Sequence, residues 1–137
     1  NNDVLCFDDS TGSIDIEVSG GFQPYSYSWS NGSTTQDLYY LSSNQYSCTI
    51  IDYLGCTIDT FVYVNQPQIL SALPIITNVS CYGENNGAVN LIISGGIAPY
   101  NIDWGSIDTN NLFEGTYHFE ITDSNACILY DSVYIDE

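Results

Sequence analysis

The sequence predicts an all-β protein built from two tandem immunoglobulin-like β-sandwich domains. Three observations support this fold class. Apolar and polar residues alternate with a period of two, as in strands that bury one face. Clusters of Gly, Asn, Asp and Ser interrupt the alternation about every 8–12 residues, the usual turn spacing in a sandwich. The same order of strands and turns then occurs a second time, so each half is expected to fold separately.

An internal repeat divides the 137 residues into two copies. Corresponding positions lie 75 residues apart up to the tryptophan of each copy and 71 apart beyond the next loop, which is four residues shorter in copy 2. We predict two domains, residues 1–67 and 68–137, each small enough to need a covalent or metal staple. The paired landmarks are Cys6/Cys81, Gly20-Gly21/Gly95-Gly96, Pro24-Tyr25/Pro99-Tyr100, Trp29/Trp104, Tyr46/Tyr117, Asp52/Asp123 and Cys56/Cys127.

Each copy contains five predicted strands in the same order. In copy 1, Gly20-Gly21 ends the first strand, Asn31-Gly32 marks the turn after the second, and the stretch 52–55 turns between the last two. The apolar stretch Ile69–Val79 is predicted to be an additional first strand of copy 2. The predicted strands lie at 14–18, 25–29, 38–41, 46–50 and 56–64 in copy 1, and at 88–94, 100–104, 112–113, 116–123 and 127–135 in copy 2.

Four aromatic residues fit the core of such a sandwich. Trp29 and Trp104 occupy the place of the core tryptophan on the third strand of an immunoglobulin-like domain. Tyr46 and Tyr117 begin the penultimate strand, the place of a tyrosine corner, whose hydroxyl bonds to upstream backbone. An alternative function for aromatic rings is a sugar-stacking surface. Better candidates for it are Tyr39, Tyr40 and Tyr53.

Four of the five cysteines form two equivalent pairs. Cys6 is placed at the start of the first strand of copy 1, and Cys56 at the start of the last strand. If these strands run parallel and adjacent, their beginnings are neighbours, so we predict a Cys6–Cys56 disulfide and its repeat, Cys81–Cys127. A zinc site of four cysteines is the alternative, but no Cys-x-x-Cys spacing supports it. Disulfides indicate an oxidising, extracytoplasmic location.

Cys48 is the unpaired cysteine of this scheme. It follows Tyr46 by two residues and therefore shares its face of the strand. Its counterpart in copy 2 is Phe119, which indicates a buried apolar position. We predict that Cys48 is a buried free thiol rather than a catalytic or crosslinking one.

The charge balance excludes several partners. The chain has 17 Asp and Glu residues and no Lys or Arg. Nucleic acids and anionic lipids are bound through basic residues, so neither is an expected partner. No apolar run approaches the roughly 20 residues of a membrane span, so direct membrane insertion is not expected. Any buried carboxylate must accept hydrogen bonds from backbone N–H or hydroxyl groups, become protonated, or bind a metal ion.

No residue pattern predicts catalysis. His118 alternates with inward-facing neighbours and should be exposed, so no nucleophile–base pair is indicated. Asp15 and Glu17 share a strand face, which a glycosidase would have to place in a cleft. Calcium is the one cofactor considered, with Asp8 and Asp9 in an oxygen-rich turn and Glu84 in the corresponding turn as candidate ligands. The competing interpretation of these turns is an ordinary Asx turn.

The residues of copy 1 resemble a known family. The run from Cys6 through Gly12-Ser13-Ile14, Ser19-Gly20-Gly21, Pro24-Tyr25 and Trp29-Ser30-Asn31-Gly32 to Leu38 closely resembles the SprB-type repeat of giant surface adhesins in gliding Bacteroidota. The part from Pro24 to Gly32 is also similar to polycystic-kidney-disease domains, another immunoglobulin-like family. Copy 2 departs from the pattern, because it lacks the Ser-Asn-Gly turn after Trp104 and has Ala126 in place of Gly55.

The resemblance implies an extracellular, non-enzymatic repeat module of a large surface adhesin or filament, exported across the outer membrane. Expected partners are neighbouring repeats of the same chain, surface glycans or other cells. The alternative is a domain that itself binds calcium or carbohydrate. In that bacterial context, Asp131-Ser132-Val133 is a candidate O-glycosylation motif at Ser132. We expect the chain to be a segment of a longer protein with further repeats.

Overall fold

The structure, a computed structural model, describes all 137 residues. They separate into two compact units, Asn1–Pro67 and Gln68–Glu137. All regular structure is β, in ten strands. None of the elements is a helix with the length and apolarity needed to cross a membrane.

The first unit consists of two antiparallel sheets around one core. Its strands are β1 (Gly12–Ile14), β2 (Ser26–Trp29), β3 (Leu38–Leu41), β4 (Asn44–Ile51) and β5 (Thr57–Val64). One sheet pairs β1 with β3, and the other has the order β2-β4-β5. Val4 of the N-terminal segment and the inward residues of both sheets form the core: Val4, Ile14, Trp29, Leu38, Leu41, Tyr46, Cys48, Ile50 and Val64. In β4 the side chains of Tyr46, Cys48 and Ile50 face this core and are buried, whereas the residues between them are more exposed.

The second unit also has five strands, because it gains one strand at its start and lacks a strand counterpart of β3. It contains β6 (Ser71–Thr77), β7 (Ala88–Ser94), β8 (Asn101–Asp103), β9 (Gly115–Thr122) and β10 (Ile128–Ile135). One sheet pairs β6 with β7, and the other has the order β10-β9-β8. The prediction that the apolar stretch after Pro67 supplies a first strand is confirmed by β6. The counterpart of β3 is reduced to a bridge between Gly87 and Leu112.

The first strand of copy 1 is shorter than predicted. The sequence predicts strand over 14–18, but β1 ends at Ile14. The backbone beyond it is bonded to side chains instead, since the Ile16 N–H donates to Asp37 Oδ1 at 3.2 Å and Gln36 Nε2 donates to the Ile16 carbonyl. The equivalent strand β7 is complete because β6 pairs along its whole length.

Gly95 marks a close approach in the second unit. The chain entering β6 passes directly over it, so that a Cβ at position 95 would lie 1.8 Å from the Ile69 carbonyl oxygen. Its counterpart Gly20 has the same left-handed conformation (φ 82° against 71°) but open space around it. The two glycines therefore separate the cost of backbone strain from the cost of a steric clash.

We expect Gly95→Ala to destabilise the second unit by about 3 kcal/mol or more, because left-handed strain adds to displacement of the chain at Ile69. Gly20→Ala is the matched control and should cost the first unit only about 1 kcal/mol of strain. Urea unfolding followed by fluorescence measures both, since Trp29 reports on the first unit and Trp104 on the second. Equal losses in the two variants would contradict the close approach.

Candidate functional site

An aspartate holds together one end of the first unit. The Asp52 carboxylate accepts backbone N–H groups of its own hairpin, from Leu54 at 3.0 Å and Cys56 at 2.8 Å. It also accepts the Phe22 N–H at 3.1 Å, thirty residues away in sequence. In the other direction, the Tyr53 N–H donates to the Phe22 carbonyl at 2.8 Å. We call this arrangement the aspartate clamp, because one side chain ties the loop after the first strand to the hairpin between β4 and β5.

The second unit contains the same clamp. Asp123 accepts the N–H groups of Asn125 at 2.9 Å, Cys127 at 2.9 Å and Ile97 at 2.8 Å. Asp123 is 5% exposed, and it is the one charged residue of the chain that is buried. Three N–H donors satisfy a buried carboxylate without a basic residue.

Each clamp depends on a glycine and a tyrosine in the loop that it holds. A Cβ on Gly96 would lie 2.8 Å from Asp123 Oδ2, so only glycine lets the carboxylate come close. The Tyr100 hydroxyl donates to the Gly95 carbonyl at 2.7 Å and closes the loop upon itself. In the first unit the Tyr25 hydroxyl donates to the Gly20 carbonyl in the same way.

Backbone hydrogen bonds set the electrostatics of the first clamp. The N–H of Cys56 and then those of Phe22 and Leu54 lower the pKa of the Asp52 carboxyl below its usual value. The Asp52 carboxylate bonds to backbone N–H groups throughout, so the clamp organises the two loops that it joins.

The four aromatic residues predicted for the core lie at structural positions. Trp29 is buried, and its Nε1 donates to the Thr35 carbonyl at 2.8 Å. The Tyr46 hydroxyl donates to the Ser42 carbonyl at 3.0 Å, and the Tyr117 hydroxyl donates to the Phe113 carbonyl at 3.0 Å. Both tyrosines thus reach the backbone four residues upstream, as a tyrosine corner does. The half-buried Trp104 packs against the core of its unit.

Cys48 lies in a buried position that is aromatic in the other copy. It is a free thiol with 1% exposure, opposite Trp29 in the register of β2 and β4. Phe119 is its counterpart, with its ring centroid 4.8 Å from that of Trp104. Burial raises the pKa of the Cys48 thiol. A protonated, buried thiol is a poor nucleophile.

The predicted disulfides Cys6–Cys56 and Cys81–Cys127 are wrong in this structure. Cys56 and Cys81 are exposed free thiols, whereas Cys6 and Cys127 are disulfide-bonded. The prediction required that the first and last strands of each copy begin side by side, and the register of the units does not allow this.

In each copy, the residues just before the first paired cysteine lie beside the end of the last strand. In the first unit the Val4 N–H donates to the Asn65 carbonyl at 2.8 Å, just after β5 ends. Cys56 precedes the first residue of β5, so it lies about 25 Å from that end, because a strand rises about 3.3 Å per residue. The second unit repeats the relation through a bond from the Val79 N–H to the Asp136 carbonyl at 2.9 Å. A disulfide needs Cα atoms within about 7 Å.

The candidate calcium ligands lie in two equivalent turns. Asp9 N–H donates to the Cys6 carbonyl at 3.3 Å, and Glu84 N–H donates to the Cys81 carbonyl at 3.0 Å. Asp8 in the first turn has a φ of 63°. The structure contains no group of three or more His, Cys, Asp or Glu side chains that could hold a metal ion. Calcium binding stays a prediction.

Other candidate residues lie on the surface. Asp15 and Glu17 are exposed on the first unit, and His118 is exposed on β9. Ser132 is exposed on β10, where its N–H donates to Asp131 Oδ1 at 2.8 Å, and its glycosylation stays a prediction.

The exposed tyrosines line a shallow groove in the first unit. Tyr39 is 65% exposed and Tyr40 is 87% exposed. They border a groove of about 530 Å³ together with Asn31, Ser33, Thr35, Gln36, Asp37 and Leu38. Tyr53, 73% exposed, lies in the hairpin of the aspartate clamp and does not line this groove.

A protein-family model matches each unit. The model described as SprB repeat matches residues 2–34 and 74–109, which together make up half of the chain. The chain belongs to the SprB repeat family. This is a family of structural surface-adhesin repeats that is not known for enzymatic activity. Neither the curated proteins nor the solved structures gave a match.

Sequence reasoning missed part of what defines these SprB repeats. It gave Asp52 and Asp123 as paired landmarks and placed the stretch 52–55 in a turn, but it did not predict that each aspartate also holds the loop after the Gly-Gly pair. A signal was present, because both copies pair Gly-Gly with an aspartate in a chain without basic residues. The tyrosines Tyr25 and Tyr100 were placed only as strand residues, although their hydroxyl groups close the same loops.

We expect the stability of the first SprB repeat to fall on acidification through loss of the Asp52 bonds. The folded-state pKa is lower than the unfolded value of about 3.9, so the contribution is complete above about pH 4 and is lost as the pH falls through the folded pKa. Thermal unfolding between pH 2 and 6 measures it. Asp52→Asn should lower the melting temperature near neutral pH and reduce its fall in acid.

Glu17→Gln is the control for this experiment. It removes a carboxylate that accepts no hydrogen bond in the structure, and it should keep the acid response of the unmodified chain. The interpretation fails if Asp52→Asn and Glu17→Gln have the same pH profile.

Proposed function

We propose that the chain is a non-enzymatic, extracellular repeat module of a large bacterial surface adhesin or filament. In this role each unit is an immunoglobulin-like sandwich that acts as a rigid spacer and a contact surface. The single observation that carries the proposal is that the residues shared by the two copies serve the fold.

The shared residues other than the four paired cysteines, chiefly aspartates, tyrosines and glycines, contact or hydrogen-bond groups of their own unit. The clamp aspartates bind backbone, the tyrosine corners bind backbone, and Gly12 and Gly87 admit a neighbouring strand. A Cβ on Gly12 would lie 2.6 Å from Val64 Cγ1, and one on Gly87 would lie 2.8 Å from Ile135 Cγ2. A repeated catalytic site would instead share exposed polar residues within a cleft. These copies share a scaffold.

The junction between the repeats favours stiffness. Gln66 is held in the first unit, where its Oε1 accepts the Asp8 N–H at 2.9 Å. Gln68 is held in the second unit, where its carbonyl accepts the Gly96 N–H at 2.8 Å. Only Pro67 separates the two, and proline has a fixed φ. A linker of one restricted residue leaves little freedom between domains.

The cysteine and charge chemistry favours an exterior location. Cys6 and Cys127 are disulfide-bonded, which requires an oxidising compartment. The 17 acidic residues are unopposed by Lys or Arg and keep the surface soluble. Neighbouring repeats are the expected partners, and the outer cell surface is the expected location.

Solution scattering tests the rigid spacer. We expect the scattering curve to fit a single conformation, because Pro67 alone separates the residues held in the two units. The comparison variant carries six Gly and Ser residues inserted between Pro67 and Gln68, and it should need a broad ensemble of distances. If the unmodified chain needs an ensemble equally broad, the spacer is flexible and this part of the proposal is refuted.

A second candidate function is carbohydrate contact through the tyrosine groove. Tyr39 and Tyr40 expose most of their rings beside hydroxyl, amide and carboxylate groups. Aromatic rings next to hydrogen-bonding groups are typical of ligand sites with an apolar surface and a few polar contacts. The groove lies in the first repeat, in the loop region that is shorter in the second, so this function would belong to one repeat only.

A glycan array with Tyr39→Ala and Tyr40→Ala tests the groove. If it binds carbohydrate, each variant should lose most of the signal, about tenfold or more, because stacking area is removed. Tyr82→Ala, in the other unit and 86% exposed, is the control and should keep the signal. Calorimetric titration with calcium separates a calcium-dependent mode. No binding by the unmodified chain, or equal loss in all three variants, excludes the groove.

A further inference from the structure

The cysteines other than Cys48 fall into two types by their place in the repeat. The strand-end cysteines, Cys6 and Cys81, begin the turn that lies beside the end of the last strand of their unit. The strand-start cysteines, Cys56 and Cys127, directly precede the first residue of that last strand. The two types lie at opposite ends of each unit, too far apart to bond within it.

The disulfide-bonded cysteines and the free cysteines each include one cysteine of either type. The bonded set, Cys6 and Cys127, has one strand-end and one strand-start cysteine. The free set apart from Cys48, namely Cys81 and Cys56, also has one of each. Both free thiols are exposed. The chain thus has complementary, unused thiols on different repeats.

We propose that Cys81 of one chain forms a disulfide with Cys56 of a second copy, which joins successive copies head to tail. The partner is a second copy of this repeat pair, and the bond is of the strand-end to strand-start kind. The inference rests on the proposed repeat function only in supposing that copies are neighbours. A rigid spacer could exist without this bond.

The end of the first unit that carries Cys56 is open to such a neighbour. A shallow groove of about 140 Å³ lies there, lined in part by Val18, Gly21, Ile50 and Cys56. In the second unit the equivalent place is covered by the chain entering β6, where Leu70 is buried and Gln68 accepts the Gly96 N–H. The corresponding Gly21 N–H donates to no group in the structure. The first unit therefore presents an uncovered surface beside its free thiol.

The bond forms by thiol–disulfide exchange with a low-molecular-weight disulfide as oxidant. The Cys81 thiolate attacks one sulfur of oxidised glutathione, which gives a mixed disulfide and releases one glutathione thiolate. The Cys56 thiolate of the second chain then attacks the Cys81 sulfur and releases the second glutathione thiolate. The two protein thiols lose two protons and two electrons, and oxidised glutathione becomes two reduced molecules.

Two single variants mixed together test the pairing. Cys56→Ser keeps Cys81 as its exposed thiol, and Cys81→Ser keeps Cys56. In a buffer of reduced and oxidised glutathione, we expect each variant alone to stay monomeric on a non-reducing gel. Their equimolar mixture should give a 1:1 disulfide-linked dimer, at least tenfold more abundant than either homodimer. The unmodified chain should give a ladder of multimers that dithiothreitol removes.

Peptide mapping identifies the bond. Trypsin has no site in a chain without Lys and Arg, so pepsin is used, and its low pH also prevents exchange of disulfides. The linked peptides should contain Cys56 and Cys81, and Cys6 and Cys127 should remain bonded. Alanine replaces serine at both positions as a second pair of variants, and circular dichroism shows whether each chain is folded.

Three outcomes would overturn the proposal. They are homodimers of the single variants at the level of the mixed dimer, no dimer in the mixture, or a ladder whose linked peptides contain other cysteines. Scattering by the double variant Cys56→Ser/Cys81→Ser, in which Cys6 and Cys127 stay bonded, still reports on the spacer in each case, so failure of the bond and failure of the proposed function are distinguishable.

Discussion

Every carboxylate of this chain must be satisfied without a basic side chain, and this constraint shapes both repeats. With 17 acidic residues and no Lys or Arg, backbone N–H groups are the main donors available to a carboxylate that leaves water. Asp52 and Asp123 each collect three of them, two from a hairpin and one from a distant loop. Charge is thereby used to fix the path of the backbone. The glycine beside each aspartate is required because a Cβ there would crowd the carboxylate.

The alternation of apolar residues predicted most of the strands, because successive side chains of a strand point to opposite faces and only one face is buried. It overestimated the strand at 14–18, and the predicted strand at 112–113 is only a bridge. Trp29 and Tyr46 followed, since a sandwich core needs a large ring and a corner bond at those places. Contacts between distant loops could not be predicted in this way. The bond from the Phe22 N–H to Asp52 joins residues thirty positions apart, and no pattern in the sequence around either residue indicates that the two are in contact. The loss of strand beyond Ile14 likewise depends on Asp37 and Gln36, which come from another loop.

The cysteine prediction failed for a specific reason. A period of two is the same at every point along a strand, so it fixes which face is buried and leaves the sliding of one strand against another undetermined. The first segment of copy 1 does meet the last strand, but beside Asn65 and not beside Thr57. This shift of a full strand moves Cys6 from the neighbourhood of Cys56 to the opposite end of the unit. The same shift in copy 2 separates Cys81 from Cys127.

The extreme charge also bears on how copies of such a repeat can meet. Two surfaces that carry only acidic residues repel each other, and they cannot form ion pairs with Lys or Arg to offset that repulsion. Salt reduces it, because at about 0.1 M the screening length is near 10 Å. Apolar contact, the continuous backbone and a covalent bond can hold neighbouring repeats together without any charge pairing. Of these, a disulfide opposes separation under load most directly and does not depend on salt. A chain that places one exposed thiol at the start of a last strand and another beside the end of one has the chemistry for that solution.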